Sequence, residues 1–484
     1  MKLAESRLLK TKVVYPAAYT TQRKTFAVTD PASQAHVAEV ERSTSEDAEA
    51  AVHAAHATFQ DWKRTPATER AACLLRTSQL LVKHAQDLAH ILVAEQGKPL
   101  REAVGEVHYG ASYFEWFAEQ AECIEPANIP WPRAKHHASA TRQPVGVCVG
   151  ITPWNFPLAM VARKVSAALA AGCTIVLKPA EATPLSALAL AELLREAGLP
   201  DGALCVLPGT REDAKVLGNV LCTHPLIKKL SFTGSSATGK QLAAQCANSV
   251  KRLSLELGGN APFIVFEDAP LQDAVKGALA AKFLNCGQTC IAANRFLIQK
   301  DCAAAFTRAV VQAAQSLRQG PGQDKQVQLG PLISESAVKK VNAHVADAVN
   351  KGARLLSGGT ASPHGSCFVE PTVLTNVTPE MQVFKEETFG PVVAICSFGT
   401  EHEALELANS TPFGLACYLY TSDAERGQRL CSELDFGMIG INTTDIAAAA
   451  APFGGVKESG YGREGSRYGL DGYLDYKFQC SKGL

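Results

Sequence analysis

The feature that most constrains this chain is a strict alternation of short β-rich runs and helical segments beginning at residue 144. The runs are VGVCVGI (145–151), TIVLK (174–178), ALCVLPG (203–209), IKKLSFTG (227–234) and RLSLEL (252–257), with helices predicted over 158–171, 184–197 and 239–249. Strands joined by helical crossovers lie parallel and must be covered on both faces, so the pattern dictates an α/β fold around a parallel sheet. Helix 184–197 carries its own punctuation, with Thr183-Pro184 at the start and Gly198-Leu199-Pro200 at the end. After Gly258-Gly259 a second alternating series opens with PFIVF (262–266) and runs to about residue 445, which predicts a second α/β domain. The first 125 residues read mostly as scaffold helices. Ser45 and Asp47 open one of them, and Gly97 stops the last of a long apolar-periodic stretch. The tail GYLDYKFQC (472–480) alternates like an exposed strand, which at a chain terminus commonly finds a partner on another subunit.

A length of 484 residues agrees with two to four domains. The 47 basic residues balance 47 acidic ones, so the chain lacks the basic field of a nucleic-acid or lipid-surface binder, and small-molecule chemistry is expected. Its 15 cysteines are scattered through apolar runs such as VGVCVGI and LACYLY and read as reduced, buried thiols. With no apolar run of membrane-spanning length and no secretory leader pattern, a soluble cytoplasmic protein is expected. Arg7, Lys10 and Lys12 are basic, but Glu5 among them counts against an organelle-targeting peptide.

Several loops at predicted strand ends carry chemistry. Gly234-Ser-Ser-Ala-Thr-Gly239-Lys240 follows a strand and opens a helix, nearly matching a nucleotide phosphate loop. It fails where Gln241 replaces the hydroxyl that would hold magnesium, and no metal site is expected. What survives is a helix N-terminus suited to a pyrophosphate, or a structural turn. Lys178-Pro179-Ala180-Glu181 ends another strand, where a lysine and a carboxylate can reach ribose hydroxyls or remain surface charges. In Thr152-Pro-Trp-Asn-Phe-Pro157, Asn155 can donate to an oxyanion or cap the following helix. Cys290 lies in the polar loop Asn285-Cys-Gly-Gln-Thr-Cys290, where a thiol can be accessible and activated, with Cys286 a competing candidate. Glu256, flanked by Leu255 and Leu257, is either a buried general base or an ordinary polar strand position.

Taken together, TPWNFP, KPAE, FTGSSATGK, LELGG, GQTC, KEETFGPV (385–392) and PFGGVKESGYGREG (452–465) resemble the NAD(P)-dependent aldehyde dehydrogenase superfamily over nearly the whole chain. The resemblance implies Cys290 as nucleophile, Glu256 as general base, and Asn155 with the Cys290 backbone N–H as oxyanion hole. It implies cofactor contacts at Trp154, Asn155, Lys178, Pro179, Ala180, Glu181, Gly234, Ser235, Leu257, Glu387 and Phe389. NAD is the expected cofactor, with NADP possible, because a carboxylate at Glu181 repels a 2′-phosphate. The implied reaction takes a small-molecule aldehyde through a thiohemiacetal and a thioester to the acid. The implied architecture is a Rossmann-like cofactor domain (1–125 and 144–257), a catalytic domain (258–455) and an oligomerisation ribbon (126–143 and 466–484) serving a homodimer or homotetramer.

Within the superfamily the chain is most similar to the succinate-semialdehyde dehydrogenase subgroup. That subgroup clamps the substrate's far carboxylate with two arginines and a serine. Arg163 matches the first arginine, Leu284 stands at the second, and an alanine run containing Ala448 stands where the serine belongs. A weakened carboxylate anchor is expected, which favours uncharged aldehydes. Ala292 replaces the second cysteine that some members use as a redox lock.

Overall fold

The computed structural model describes residues 3–16, 23–133, 135–360 and 362–482. The expectations for residues 1–2, for 134 in the ribbon and for 483–484 in the tail lie outside them.

The first alternating series builds a six-stranded sheet in the order Gly460–Tyr461, Arg252–Glu256, Ile227–Thr233, Val147–Ile151, Thr174–Lys178, Leu204–Val206. All neighbours are parallel except Gly460–Tyr461, which pairs antiparallel with Leu255 and Glu256. The chain runs outward from Val147–Ile151 through the next two strands, then returns to its other side, so the strand order reverses between Val147–Ile151 and Ile227–Thr233. A ligand crevice belongs at the carboxyl ends of the strands where such a reversal occurs. A second sheet has seven strands in the order Arg354–Ser357, Thr372–Thr375, Val392–Phe398, Ala293–Gln299, Ala261–Val265, Ala416–Tyr420, Met438–Ile441, parallel except at the first.

The predicted elements form with adjusted ends. The helix expected over 184–197 is Leu185–Glu196, and Gly198 takes the left-handed φ of +94° that stops it. Helix 239–249 instead spans Ser236–Cys246, because the Ser235 side chain caps it by accepting from Thr238 N–H. The strand read at 203–209 shrinks to Leu204–Val206. Helix Ser45–Trp62 is held by a capping box between Thr44 and Asp47. Reading the N-terminal region as mostly helices overlooked an antiparallel hairpin, Thr25–Thr29 with His36–Glu41, whose largely exposed strands lack a clean apolar face. The tail strand Leu474–Lys482 pairs within its own chain, against His136–Pro144, which also pairs with Ala127–Asn128.

Helices Ala67–Lys83, Ala85–Gln96 and Leu100–Glu122 share one apolar core with one face of the first sheet. A smaller core lies on its other face, and a third fills the second sheet's layers. All 15 cysteines are free, and only Cys123 and Cys480 are exposed. Among the described residues no helix is long and apolar enough to cross a membrane.

Candidate active site

The loops leaving the carboxyl ends of Val147–Ile151, Ile227–Thr233 and Arg252–Glu256 meet the loops that enter the amino ends of Ala293–Gln299 and Val392–Phe398. They enclose a cavity of about 530 Å³ whose walls include Trp154, Asn155, Arg163, Gly234, Ser235, Glu256, Leu257, Leu284, Cys290, Glu387 and Phe389. Two sheets thus bring together residues that lie more than a hundred positions apart in sequence.

Cys290 is half-buried and faces this cavity, whereas Cys286 is 1% exposed and lies outside it. The nucleophile loop is tightly built. Gly259 admits the Cys290 carbonyl, because a side chain there would place its Cβ 2.1 Å from that oxygen. Asn285 and Cys286 both adopt left-handed φ, +50° and +56°, an unusual run for residues with side chains. The Asn285 side chain stabilises this turn by donating to Asn155 O at 2.9 Å and accepting from Gln96 Nε2 at 3.0 Å. Gln288 adds bonds to Asn285 O, Pro331 O and Ile333 N–H. Burial pushes the Cys290 thiol up to about 12, nearby Glu387 and Glu256 add to the rise, and Arg163 opposes it. A loop that is polar in composition is packed too deeply to stabilise a thiolate by itself.

Asn155 is 6% exposed, and its Nδ2 donates to Gln288 O at 3.0 Å, which leaves one amide hydrogen beside the nucleophile loop. It does not cap the following helix, Ala159–Ala170. That role falls to Glu106, whose Oε1 accepts from Leu158 N–H and Ala159 N–H at 2.9 and 3.2 Å. Lys98, buried, binds Glu106 at 2.5 Å and Asn155 O at 2.8 Å, so the asparagine backbone is held from both sides.

Glu256 is 1% exposed, and neither carboxylate oxygen has a hydrogen-bond partner among the described residues. Desolvation raises its pKa well above the ordinary value, and the charge of Glu464 raises it further. The ordinary polar strand position is thereby excluded: the carboxyl is buried, unpaired and turned to the cavity. Glu464 behaves oppositely. It accepts from Ser231 Oγ at 3.0 Å, from Lys164 Nζ and from Arg163, and these partners hold it below the usual carboxylate range. Lys164 and Glu464 went unassigned in the sequence, although Glu464 lies inside the GREG segment.

Arg163 is 2% exposed and largely committed. Its Nη1 lies 3.5 Å from Glu464, its Nη2 donates to the Tyr109 hydroxyl at 3.0 Å, and its guanidinium sits 4.1 Å from the Phe453 ring centre. Only Nε remains a buried donor without a partner among the described residues. Leu284 is 44% exposed and lines the cavity as expected. Ala448 does not, being exposed outside it; its neighbour Ala447 occupies the wall, together with Thr444 and Asp445.

The residues expected to contact the cofactor divide into two groups. Trp154, Gly234, Ser235, Leu257, Glu387 and Phe389 line the cavity, whereas Lys178, Pro179, Ala180 and Glu181 lie at the adjacent strand end, outside it. The exposed amine of Lys240 pairs with Glu458 at 2.8 Å. The donor set nevertheless suits a dinucleotide. The eleven-residue helix Ser236–Cys246 directs its N-terminus at the cavity mouth, and among the described residues buried Lys178 Nζ bonds only the adjacent Pro179 carbonyl, at 3.2 Å. Glu387 accepts from Gly259 N–H at 2.8 Å, and Phe389, held at φ +58°, sets its ring edge-on to Trp154 at 5.5 Å.

The chain matches the aldehyde dehydrogenase family over residues 19–479. It is 51% identical to a 3-sulfolactaldehyde dehydrogenase of Pseudomonas putida, across 95% of this chain and 94% of that protein. It is 47% identical to the NADP(+) succinate-semialdehyde dehydrogenase GabD of Escherichia coli strain K12, across 99% of both. The crystal structure of succinate-semialdehyde dehydrogenase from Burkholderia pseudomallei superposes with a TM-score of 0.97 at 48% identity, covering 100% of each chain.

Proposed function

The chain belongs to the aldehyde dehydrogenase family, and from that premise we propose that it oxidises small aldehydes to acids with Cys290 as nucleophile, Asn155 as oxyanion donor and Glu256 as general base. The observation that carries this reading is the convergence of these three side chains, from both sheets, on one cavity.

After losing its proton to solvent, Cys290 Sγ adds to the aldehyde carbon, and the oxygen gains charge between the free Asn155 amide hydrogen and the Cys290 backbone N–H. When bound, oxidised NAD(P) would supply a hydride acceptor and a positive charge. Ser235 and the helix N-terminus behind it would hold its pyrophosphate, with Glu387 and Lys178 on ribose hydroxyls. Once oxidation has left a thioester on Cys290, Glu256 takes a proton from water, and the hydroxide so generated displaces the thiolate. Lys164 and Arg163 keep Glu464 charged, and that charge holds Glu256 basic enough for the task.

At the far end of the substrate, Arg163 is the one cation among the described residues lining the cavity, facing Leu284, Ala447 and the uncompensated Asp445. We place the enzyme as succinate-semialdehyde dehydrogenase-like with a weakened anchor, in which Arg163, already engaged with Glu464 and Tyr109, is the one cation offered to an anionic end group. The apolar Leu284 and Ala447 favour a second reading, an uncharged aliphatic or aromatic aldehyde. A kcat/KM panel of succinate semialdehyde, 3-sulfolactaldehyde and uncharged aldehydes separates them. Installing a second anchor by Leu284→Arg with Ala447→Ser is expected to raise kcat/KM for succinate semialdehyde about tenfold or more, since one charge-assisted hydrogen bond contributes roughly 1.5–3 kcal/mol. No gain, combined with tight use of succinate semialdehyde by the unmodified enzyme, refutes the weakened anchor.

Cofactor choice is assigned to Glu181, which is half-buried beside Lys178. Glu181→Ser is expected to lower the NAD-to-NADP ratio of kcat/KM; an unchanged ratio removes Glu181 from ribose recognition.

A further inference from the structure

Lys98 stands in the short connection between helices Ala85–Gln96 and Leu100–Glu122, and that connection has little freedom. Gly97 takes a left-handed φ of +91° at a point where a Cβ would stand 2.6 Å from the Pro331 ring, and the Lys98 N–H donates to Gln96 Oε1 at 3.0 Å. The side chains of Lys98 and Glu106 are both wholly removed from solvent, and they meet at 2.5 Å. Such a pair adds little net stability, because desolvating both charges offsets their attraction. What it has is reach into the site.

Glu106 meets the amine with Oε2 and holds the start of helix Ala159–Ala170 with Oε1, through Leu158 and Ala159 N–H. The amine donates a second hydrogen to the Asn155 main-chain oxygen at 2.8 Å and lies 4.0 Å from the centre of the Phe156 ring. The peptide unit joining Asn155 to Phe156 therefore has its carbonyl pinned by Lys98, with Asn285 Nδ2 on the same oxygen at 2.9 Å. Its N–H, from Phe156, donates to Asn155 Oδ1 at 3.1 Å. Turning this peptide would swing that N–H, and the Asn155 amide with it, away from Gln288 O, which accepts from Nδ2 at 3.0 Å. Lys98 itself does not line the cavity.

We infer that Lys98, ion-paired to Glu106, is a positioning residue for the oxyanion hole: it fixes the tilt of the Asn155–Phe156 peptide and so aims the free Asn155 amide hydrogen at the oxygen of the attacked aldehyde. The inference rests on the reading of Asn155 as oxyanion donor. An oxyanion donor works only when it is held in place before charge develops, and a small misplacement forfeits much of its effect. Because Lys98 acts through Asn155, its loss slows the step that delivers the hydride and leaves cofactor affinity unchanged.

The test is the single-turnover rate of NADH formation by the full-length enzyme at saturating NAD+ and aldehyde. Four forms are compared: wild type, Asn155→Ala, the paired variant Lys98→Met with Glu106→Gln, and that pair combined with Asn155→Ala. The paired change removes both charges together, so no lone buried ion is left, and glutamine Oε1 still accepts from Leu158 and Ala159 N–H. Asn155→Ala should slow the step roughly 10²–10³-fold. The paired variant should slow it about 10–100-fold with the Kd of NAD+ unchanged, since Asn285 still holds the Asn155 oxygen. In the Asn155→Ala background the pair should cost less than about threefold more, because there is no amide left to aim. A paired variant at the wild-type rate overturns the inference, and so does a loss that multiplies in full with that of Asn155→Ala, the mark of a general structural role. If the paired variant does not fold, Lys98→Gln, a shorter donor still polar beside Glu106, is judged on the same two comparisons. Asn155→Ala at the wild-type rate removes the oxyanion reading itself, and the inference falls with its premise.

Discussion

Cys290→Ala is expected to abolish aldehyde oxidation, by roughly 10⁴-fold or more in kcat, because losing a nucleophile leaves only binding and polar stabilisation to act. Cys286→Ala should retain most of the activity. Acidity does not separate the two thiols, since burial pushes both up to about 12. Access does: Cys290 opens onto the cavity beside Asn155, while Cys286 is buried in the left-handed turn beneath it. Steady-state NADH formation and alkylation by iodoacetamide, with and without NAD+, measure the contrast. An inactive Cys286→Ala that still folds, beside an active Cys290→Ala, would reverse the assignment.

The same contrast marks what one-dimensional information carries. Strand–helix alternation made both parallel sheets legible, because buried parallel strands are short apolar runs and their crossover helices have distinct stops, as at Gly198. The strand-end loops were legible as chemistry because polar and glycine-rich residues interrupt apolar runs at Asn155, Gly234 and Cys290. The hairpin Thr25–Thr29 with His36–Glu41 was not, since strands exposed on much of their surface carry little apolar periodicity.

Charge partners were the least legible part of the site. Arg163 was assigned to substrate alone, yet its carboxylate partner lies 301 residues away in Glu464. Asn155 was read as a possible helix cap, yet Glu106, 52 residues earlier than Leu158, performs that function. Lys282, in the last turn of helix Leu271–Phe283, is 1% exposed with its amine unpartnered among the described residues, and it has no local signature, since an isolated lysine near a helix end ordinarily reads as a solvated charge. Such pairings depend on which elements the fold stacks together and leave no periodic trace. They also decide the electrostatics: Glu464, bonded by three donors, is held below the usual carboxylate range, while burial and the charge of Glu464 push Glu256 above it.

That division of charge leads to the second large effect. Glu256→Gln preserves the shape of a buried, cavity-facing side chain but removes its capacity to accept a proton, so Cys290 attack and hydride loss should proceed once per site while thioester hydrolysis stalls. Rapid mixing should show a burst of about one NADH per active site, followed by a steady state lowered by roughly 10²–10⁴-fold, the usual contribution of a general base. The sign of the pH dependence follows from the raised pKa. Only the ionised carboxyl can accept a proton, so the wild-type hydrolysis rate should climb as pH rises through the elevated value, and the glutamine variant should lose that climb. Lys164→Met should change the position of the climb rather than abolish it, because the lysine acts on Glu256 through charge: directly it lowers the carboxyl's pKa, and through Glu464 it sustains the negative neighbour that raises it. A glutamine variant that turns over at the wild-type steady-state rate would remove Glu256 from the mechanism and leave the water to another base.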